Sequence, residues 1–282
     1  MIAITCANGR LGRLIIEGLK AKIPANQIVA AARSPEKAAD LGVEVRKADY
    51  DDPDSLRSAL AGADKVLLIS SMDFGRRVPQ HEAVVRAALY NGVKHILYTS
   101  TAQADNPELV LTPEHKATEA VILASGLTYT FLRHSSYHES FYGSVNKALA
   151  TGGFSGSAGD GRIASAARAD FAAAAVAALT GAGHENKIYE LSGDTSWTQN
   201  DLAAAIGKAA GKEITYTNLT PEQHRAALVE AGMPEPLIGV SVAFDGNTRD
   251  GMLSDVTSDL HNLIGRPTTP LADVIAQLVR AA

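Results

Sequence analysis

Several things are scarce in this chain. It has one cysteine, Cys6, in 282 residues. No intrachain disulfide can form, and a reducing compartment suits it. No apolar stretch approaches the ~20 residues a membrane span requires. The apolar start, Met1 to Thr5, is very short and lacks the basic leader of a signal peptide. A cytoplasmic protein that does not engage a membrane is therefore expected. Basic residues are not in excess: 26 Lys plus Arg against 31 Asp plus Glu gives a net charge of −5. Without a basic block the chain is a poor binder of a phosphate backbone, which argues against nucleic acid as the main partner. G-x-S-x-G and G-x-x-x-x-G-K-[ST] are absent as well, so hydrolase and P-loop readings lack support.

Core material is plentiful. Apolar residues make up 46% and charged residues 20%, which excludes disorder, collagen and coiled coil. At ~150 residues per domain the length corresponds to about two domains or one large α/β unit. The first half alternates short apolar runs with helical patterns. Strand-like runs stand at Ile2–Thr5, Gln27–Ala32, Val43–Arg46, Lys65–Ile69, His95–Thr99 and Thr128–Leu132. Between them lie helical segments near 11–22, 52–60, 79–90 and 113–124, and Ser34-Pro35 has the form of an N-cap with proline in the first turn. Strands apolar on both faces and joined by crossover helices specify a parallel sheet covered on both sides. Right-handed crossovers make it doubly wound, a Rossmann sheet.

After Arg133 the pattern changes. An Ala-rich helix covers Phe171–Leu179, Lys187–Leu191 is a candidate further strand, and Glu213–Thr217 another. Thr220-Pro221-Glu222-Gln223 is a helix-capping signal. The Gly-rich stretch Gly156–Gly161 follows no clear strand and reads as a flexible segment near a substrate. The expected organisation is a dinucleotide-binding domain over 1–134, with later contributions near 160–192, and a smaller, mainly α-helical C-terminal cap over 135–282.

The turn after the first strand is the first candidate site. It reads Cys6-Ala7-Asn8-Gly9-Arg10-Leu11-Gly12. Gly9 and Gly12 have the spacing of the second and third glycines of a G-x-x-G-x-x-G loop, where backbone approaches a pyrophosphate and helix meets strand. Cys6 stands where the first would be. The alternative is an ordinary βα turn that uses glycine for positive φ. The second strand ends Ala30-Ala31-Ala32-Arg33 with no acid to hold ribose hydroxyls, and Lys37 follows one helical turn on. Two cations there favour the 2′-phosphate of NADP; a solvated Arg at a helix start is the plainer alternative. Asp49, after the third strand, is placed to reach an adenine amine or to be a surface turn acid.

In sequence order, Cys6–Gly12, Arg33, Ala48-Asp49-Tyr50, Leu68-Ile69-Ser70-Ser71, Gly92-Val93-Lys94-His95-Ile96, Tyr98-Thr99-Ser100 and Thr128–Arg133 resemble the NmrA-like group of atypical short-chain dehydrogenases/reductases. Within it the resemblance is to the bacterial NAD(P)H:quinone oxidoreductases of type 2 and then to the triphenylmethane-dye reductases. It continues through Ala158–Gly161, Arg168-Ala169-Asp170, Tyr189-Glu190-Leu191 and Leu263–Leu271, and so covers essentially the whole chain. The resemblance implies NADPH as cofactor. Its contacts would come from the turn (Cys6, Asn8, Gly9, Arg10, Leu11, Gly12), from Arg33 and Lys37, from Asp49, from Ser70 and Ser71, and from His134, Tyr137 and Arg168. The segment His134–Glu139 would line the nicotinamide and substrate pocket. The chain departs from the family at Cys6, where glycine is usual, at Asn8, where Thr or Ser is usual, and at His134, where Asn is expected.

Tyr90-Asn91-Gly92-Val93-Lys94 has Tyr-x-x-x-Lys spacing but spans a helix end, an Asn-Gly stop and a strand start, so it is rejected as the proton-transfer pair of ordinary short-chain dehydrogenases. Lys116 with Glu119 has the spacing of an exposed helix pair. Lack of a positioned acid suits quinone reduction, because a reduced quinone is a stabilised anion that solvent can protonate; the protein orients the reactants and excludes water. Tyr137 and His138 are the candidate pocket-lining groups, with packing (Tyr137) and surface exposure (His138) as the alternatives. His134 and His138 have i, i+4 spacing but no partner cluster, so no metal is expected. The expected activity is NADPH-dependent hydride transfer to a quinone-like small molecule, by a monomer or homodimer. The alternative is a non-catalytic NAD(P)-binding redox sensor of NmrA type.

Overall fold

The computed structural model describes residues Met1–Ala282. The first half runs β1 (Ile2–Ile4), α1 (Arg10–Lys20), β2 (Ile28–Ala32), β3 (Glu44–Lys47), α2 (Pro53–Ala59), β4 (Lys65–Leu68), α3 (Arg77–Tyr90), β5 (His95–Thr101), α4 (Thr112–Ala124) and β6 (Thr128–His134). Then come α5 (Tyr142–Thr151), β7 (Gly153–Gly156), β8 (Arg162–Ile163), α6 (Arg168–Thr180), β9 (Lys187–Leu191), β10 (Trp197–Thr198), α7 (Gln199–Ala210) and β11 (Thr215–Asn218). Four helices complete the chain: α8 (Pro221–Glu230), α9 (Glu235–Arg249), α10 (Asp259–Ile264) and α11 (Leu271–Ala281).

The chain forms two compact units. The first takes Met1–Asp105, Leu111–His134 and Phe171–Leu191; the second takes Asn106–Val110, Ser135–Asp170 and Ser192–Ala282.

In the first unit a seven-stranded sheet has the order β3-β2-β1-β4-β5-β6-β9, every pair parallel. The Lys187–Leu191 run does join it, beside β6. The strands are short and apolar because both faces are covered: all five residues of β2, Ile28-Val29-Ala30-Ala31-Ala32, are fully buried. On one face α2, α3 and α4 close over Val29, Ala31, Val66, Leu68, Ile96, Tyr98 and Phe131 through Leu56, Leu60, Val84, Val85, Ala88 and Ile122. Helix α1 buries Leu11, Ile15, Ile16 and Leu19, the i, i+4, i+8 stripe expected of an amphipathic helix. It lies so close to α6 that a Cβ on Gly18 would stand 2.8 Å from Val176 Cγ2. Helix α2 starts where Asp52 accepts hydrogen bonds from the amides of Asp54 and Ser55, with Pro53 in its first turn. The Ser34-Pro35 signal is corrected: it opens a 3-10 helix over Pro35–Leu41, and the Ser34 side chain caps nothing. The order 3-2-1-4 places the reversal of winding between β1 and β4, where an open α/β sheet binds ligands beyond its carboxyl edge.

The second unit is mainly helical, as expected, and also holds two small sheets: β7 with β11, parallel, and β8 with β10, antiparallel. Its core gathers Phe141, Val145, Phe154, Ile163, Trp197, Leu202, Ile206 and Ile275. The Thr220–Gln223 signal forms a reciprocal capping box at α8, and Thr198–Asp201 forms another at α7. The Gly156–Gly161 stretch is corrected as well. Gly156 ends β7, and two glycines of the stretch serve close packing: a Cβ on Gly161 would meet Thr248 O at 2.1 Å and one on Gly156 would meet Asp245 Oδ2 at 2.7 Å, while Gly159 takes a φ of +56°. Residues Arg266–Thr269 are strapped down by two carboxylates. Asp170, fully buried, accepts from Arg266 Nη2 at 2.6 Å and from Thr269 N at 2.7 Å; Asp194 accepts from Thr268 N at 2.8 Å. No helix is long and apolar enough to cross a membrane.

Candidate functional site

The first unit presents its candidate residues at the carboxyl edge of the sheet. After β1 the chain turns sharply through Cys6, whose φ of +49° lies in the left-handed region. L side chains rarely adopt that conformation and glycine adopts it freely, so the backbone here is the one a glycine loop uses, held by a residue with a side chain. Gly9 N donates to Cys6 O at 2.9 Å, closing the turn. Gly12 has no room for a Cβ, which would stand 2.7 Å from Cys6 O and 2.8 Å from Ala7 Cα. This is the close helix–strand approach for which the third glycine is required. Leu11 points into the core, so only its backbone belongs to the turn. No side chain caps α1 and its first turn holds no acid, which leaves its leading amides and the positive end of its dipole facing outward.

Beside the turn stand three exposed cations, Arg10, Arg33 and Lys37, none of them in an ion pair. Arg33 follows β2 directly, close enough that its charge acts on the Cys6 thiol. Lys37 is held through its carbonyl, which accepts from Arg13, and Arg13 is itself paired with Asp40. Asp49, after β3, has its amide tied to Ser55 Oγ at 2.9 Å and accepts from Asp51 N at 3.1 Å through Oδ1. After β4, Ser70 N donates to Thr99 Oγ1 at 2.9 Å and Ser71 N to His81 Nε2 at 3.1 Å, while the buried Ser71 Oγ has no hydrogen-bond partner. The residues present fit a dinucleotide. The switch-point crevice, the outward amides, the unpaired cations and the orphaned hydroxyl are all donors or positive charge, without a carboxylate at the end of β2.

His134 ends β6 in the same unit. Its ring is buried and stacked on Phe171 with centroids 4.4 Å apart, and burial lowers its pKa to about 3, so the imidazole is neutral.

The second unit holds the other candidates. Arg168 stands over the Tyr137 ring, its guanidinium carbon 4.9 Å from the centroid, and its amide donates to both Glu139 carboxylate oxygens. Burial pushes the Tyr137 hydroxyl up to about 12, so it is a neutral phenol at physiological pH. His138 takes a different place from the expected one. It is buried, with Nδ1 2.7 Å from Ser165 Oγ and Nε2 3.2 Å from the Thr269 carbonyl. Trp197 Nε1 donates to the same Ser165 Oγ at 2.8 Å. With both ring nitrogens engaged, His138 is a satisfied core histidine rather than a surface or pocket-lining one. The rejected pair Tyr90 and Lys94 is exposed at the far end of α3. Lys116 does pair with Glu119, at 4.0 Å, but it also bonds Asp105, and the Glu119 carboxylate is buried rather than exposed.

Two groups of residues escaped the sequence reading. One is the support beneath the turn, Thr5 and Tyr50. The other is the ionic cluster around Arg133, whose Nη1 reaches Asp105 Oδ2 at 2.7 Å and Glu190 Oε1 at 2.9 Å. A signal existed for Tyr50: it follows β3 in the run Ala48-Asp49-Tyr50 at the carboxyl edge of the sheet, and a tyrosine buried there must find a partner for its hydroxyl.

Comparison with known proteins gives the family of the chain. Over residues 6–182 the chain matches a family model described as NAD(P)H-binding. It is 48% identical over 281 residues to quinone oxidoreductase 2 of Escherichia coli (strain K12), covering 99% of this chain and 98% of that protein. The crystal structure of the E. coli NADPH-dependent quinone oxidoreductase complexed with NADPH superposes with a TM-score of 0.95 at 48% identity, covering 99% of each chain. The Citrobacter sp. triphenylmethane reductase complexed with NADP(H) does so with a TM-score of 0.93 at 39% identity, covering 99% of this chain and 100% of that one. On matches of that extent, the chain belongs to the NAD(P)H-binding family.

Proposed function

We propose that this protein is an NADPH-dependent oxidoreductase that transfers hydride to quinones or related conjugated small molecules. The observation that carries the cofactor choice is the end of β2, where Arg33 stands exposed and unpaired and no carboxylate is present. A guanidinium pairs with a 2′-phosphate through charge-assisted hydrogen bonds, whereas an acid there would favour the bare ribose. Similarity along the whole chain to the E. coli quinone oxidoreductase supports the acceptor class.

In this reading the amides of Arg10–Gly12 hold the diphosphate, Arg33 and Lys37 hold the 2′-phosphate, and Ser70 and Ser71 contribute hydroxyls after β4. Bound NADPH supplies hydride from the nicotinamide ring. In the second unit Tyr137 and Arg168 are the acceptor-binding residues of this reading, the guanidinium favouring the negative charge that develops on the acceptor oxygen. No side chain is required to deliver the proton, since the reduced quinone takes it from water. A monomer or homodimer working in the cytoplasm completes the proposal, the lone thiol suiting a reducing compartment.

The test is oxidation of NADPH and of NADH, followed by loss of the reduced nicotinamide's absorbance, against a panel of quinones. Quinone-dependent turnover with preference for NADPH is expected. NADPH binding without turnover of any acceptor would favour the redox-sensor reading, and absence of NADPH binding would defeat both.

A further inference from the structure

Below the Cys6 turn lies a hydrogen-bonded knot at the carboxyl ends of three strands. Tyr50 follows β3, and its buried side chain reaches past β2 and β1 to the end of β4. Its hydroxyl donates toward both Thr5 Oγ1 at 2.6 Å and the Ile69 carbonyl at 2.8 Å. Thr5 Oγ1 accepts from Ile69 N at 2.9 Å and donates to Leu67 O at 3.1 Å. The Cys6 thiol donates to the Tyr50 hydroxyl at 3.4 Å. The sulfur is thereby tied to the hydrogen-bonded groups at the strand ends. Cys6 needs such an anchor. At φ +49° its Cβ is in a conformation suited to glycine, and a strained residue persists only where its surroundings over-determine it.

We infer that Tyr50 is a positioning residue for the dinucleotide turn: its hydroxyl fastens the Cys6 thiol beneath the turn and so keeps the glycine-type backbone open to a diphosphate although a side chain occupies the first position. The inference rests on the NADPH reading given above. It makes the contributions of positions 6 and 50 interdependent. Without a side chain at position 6, the turn needs less from Tyr50; without the hydroxyl, that side chain is a liability.

The experiment measures NADPH dissociation constants by calorimetry on the full chain for the wild type, Tyr50→Phe, Cys6→Ala, Cys6→Gly and the Cys6→Gly/Tyr50→Phe double variant. Thermal melting of each sample without nucleotide runs alongside, with KM and kcat for NADPH oxidation. Tyr50→Phe is expected to weaken NADPH about tenfold, with KM rising by more than kcat falls. Cys6→Ala keeps the strained Cβ but loses the anchor, and is expected to bind about threefold more weakly than wild type. Cys6→Gly binds more tightly than wild type, and adding Tyr50→Phe to it costs less than about threefold.

An equal factor in both backgrounds, or a lower melting temperature with an unchanged dissociation constant, would show that Tyr50 serves the fold alone and overturn the inference. If Tyr50→Phe does not fold, Cys6→Ala decides: binding equal to the wild type overturns the inference. A wild-type protein that does not bind NADPH would instead remove the functional proposal, and this inference with it.

Discussion

Arg133 meets Glu119 side on, Nε to Oε1 at 2.9 Å and Nη2 to Oε2 at 2.7 Å, with both side chains almost wholly buried. Ser100 Oγ also donates to Glu119 Oε1, at 2.7 Å. The bidentate pair fixes the carboxyl ends of β5 and β6 to α4. Removing one partner leaves a buried, uncompensated charge, which costs about 3–5 kcal/mol. Arg133→Met is therefore expected to lower the urea midpoint sharply, and Arg133→Met with Glu119→Leu to recover much of the loss. Equal destabilisation by the single and double variants would show that the pair contributes only packing.

Three buried histidines of the first unit make stability depend on pH. Burial lowers the pKa of His81, His115 and His134 from 6.5 to about 3, with nearby Arg77 adding to the shift for the first two. The folded state thus refuses a proton that the unfolded chain accepts once pH drops below 6.5. Stability is complete above that value and declines as pH falls toward about 3, at pH 5 by about 2 kcal/mol per histidine. Denaturant midpoints should fall steeply between neutral pH and pH 5, and less steeply in His115→Gln. A profile unchanged by that substitution would remove His115 from the account.

Arg33 should separate the two nicotinamide cofactors. A charge-assisted hydrogen bond to phosphate is worth about 1.5–3 kcal/mol. Arg33→Ser is expected to raise KM for NADPH by about one to two powers of ten while changing KM for NADH little. A parallel rise in both constants would mean that the guanidinium shapes the turn and does not read the phosphate.

Gly12→Ala places a methyl group against backbone that has no room to yield. Overpacking of this kind costs about 1–3 kcal/mol, and relief requires α1 to withdraw from the turn. NADPH binding measured by calorimetry is expected to be lost or greatly weakened. Binding at wild-type strength would show that the helix can shift without disturbing the diphosphate site.

The sheet was legible because its strands carry their own evidence. Lys65–Leu68 and Ile28–Ala32 are apolar on both faces, which only a covered parallel sheet tolerates. The turn was legible for a similar reason: Gly9 and Gly12 stand at a strand-to-helix junction, and the departure at Cys6 corresponds to a measurable backbone feature, a positive φ on a residue with a side chain. Side-chain partnerships were not legible. The two hydrogen bonds that retain His138 in the core come from Ser165 and Thr269, distant in sequence. Glu119 reads as a surface charge on a helix until Arg133 is seen to cover it. Periodicity reports which face of an element is buried, but not which polar group waits there. At Ser34-Pro35 the proline does open a helical segment, yet Ser34 caps nothing and the chain between Pro35 and Leu41 tightens into a 3-10 helix.

The path of the backbone also bears on how such a protein can be altered. Helix α6 from Phe171 onward and strand β9 belong to the first unit, although Ser135–Asp170 of the second unit precedes them in sequence, and α6 brings Val176 against Gly18. A chimera that exchanged everything after His134 for a relative's residues would carry away the covering of α1 and the outermost strand beside β6. Recombination that exchanges the second unit must splice on both sides of Phe171–Leu191 and leave that segment with its native neighbours.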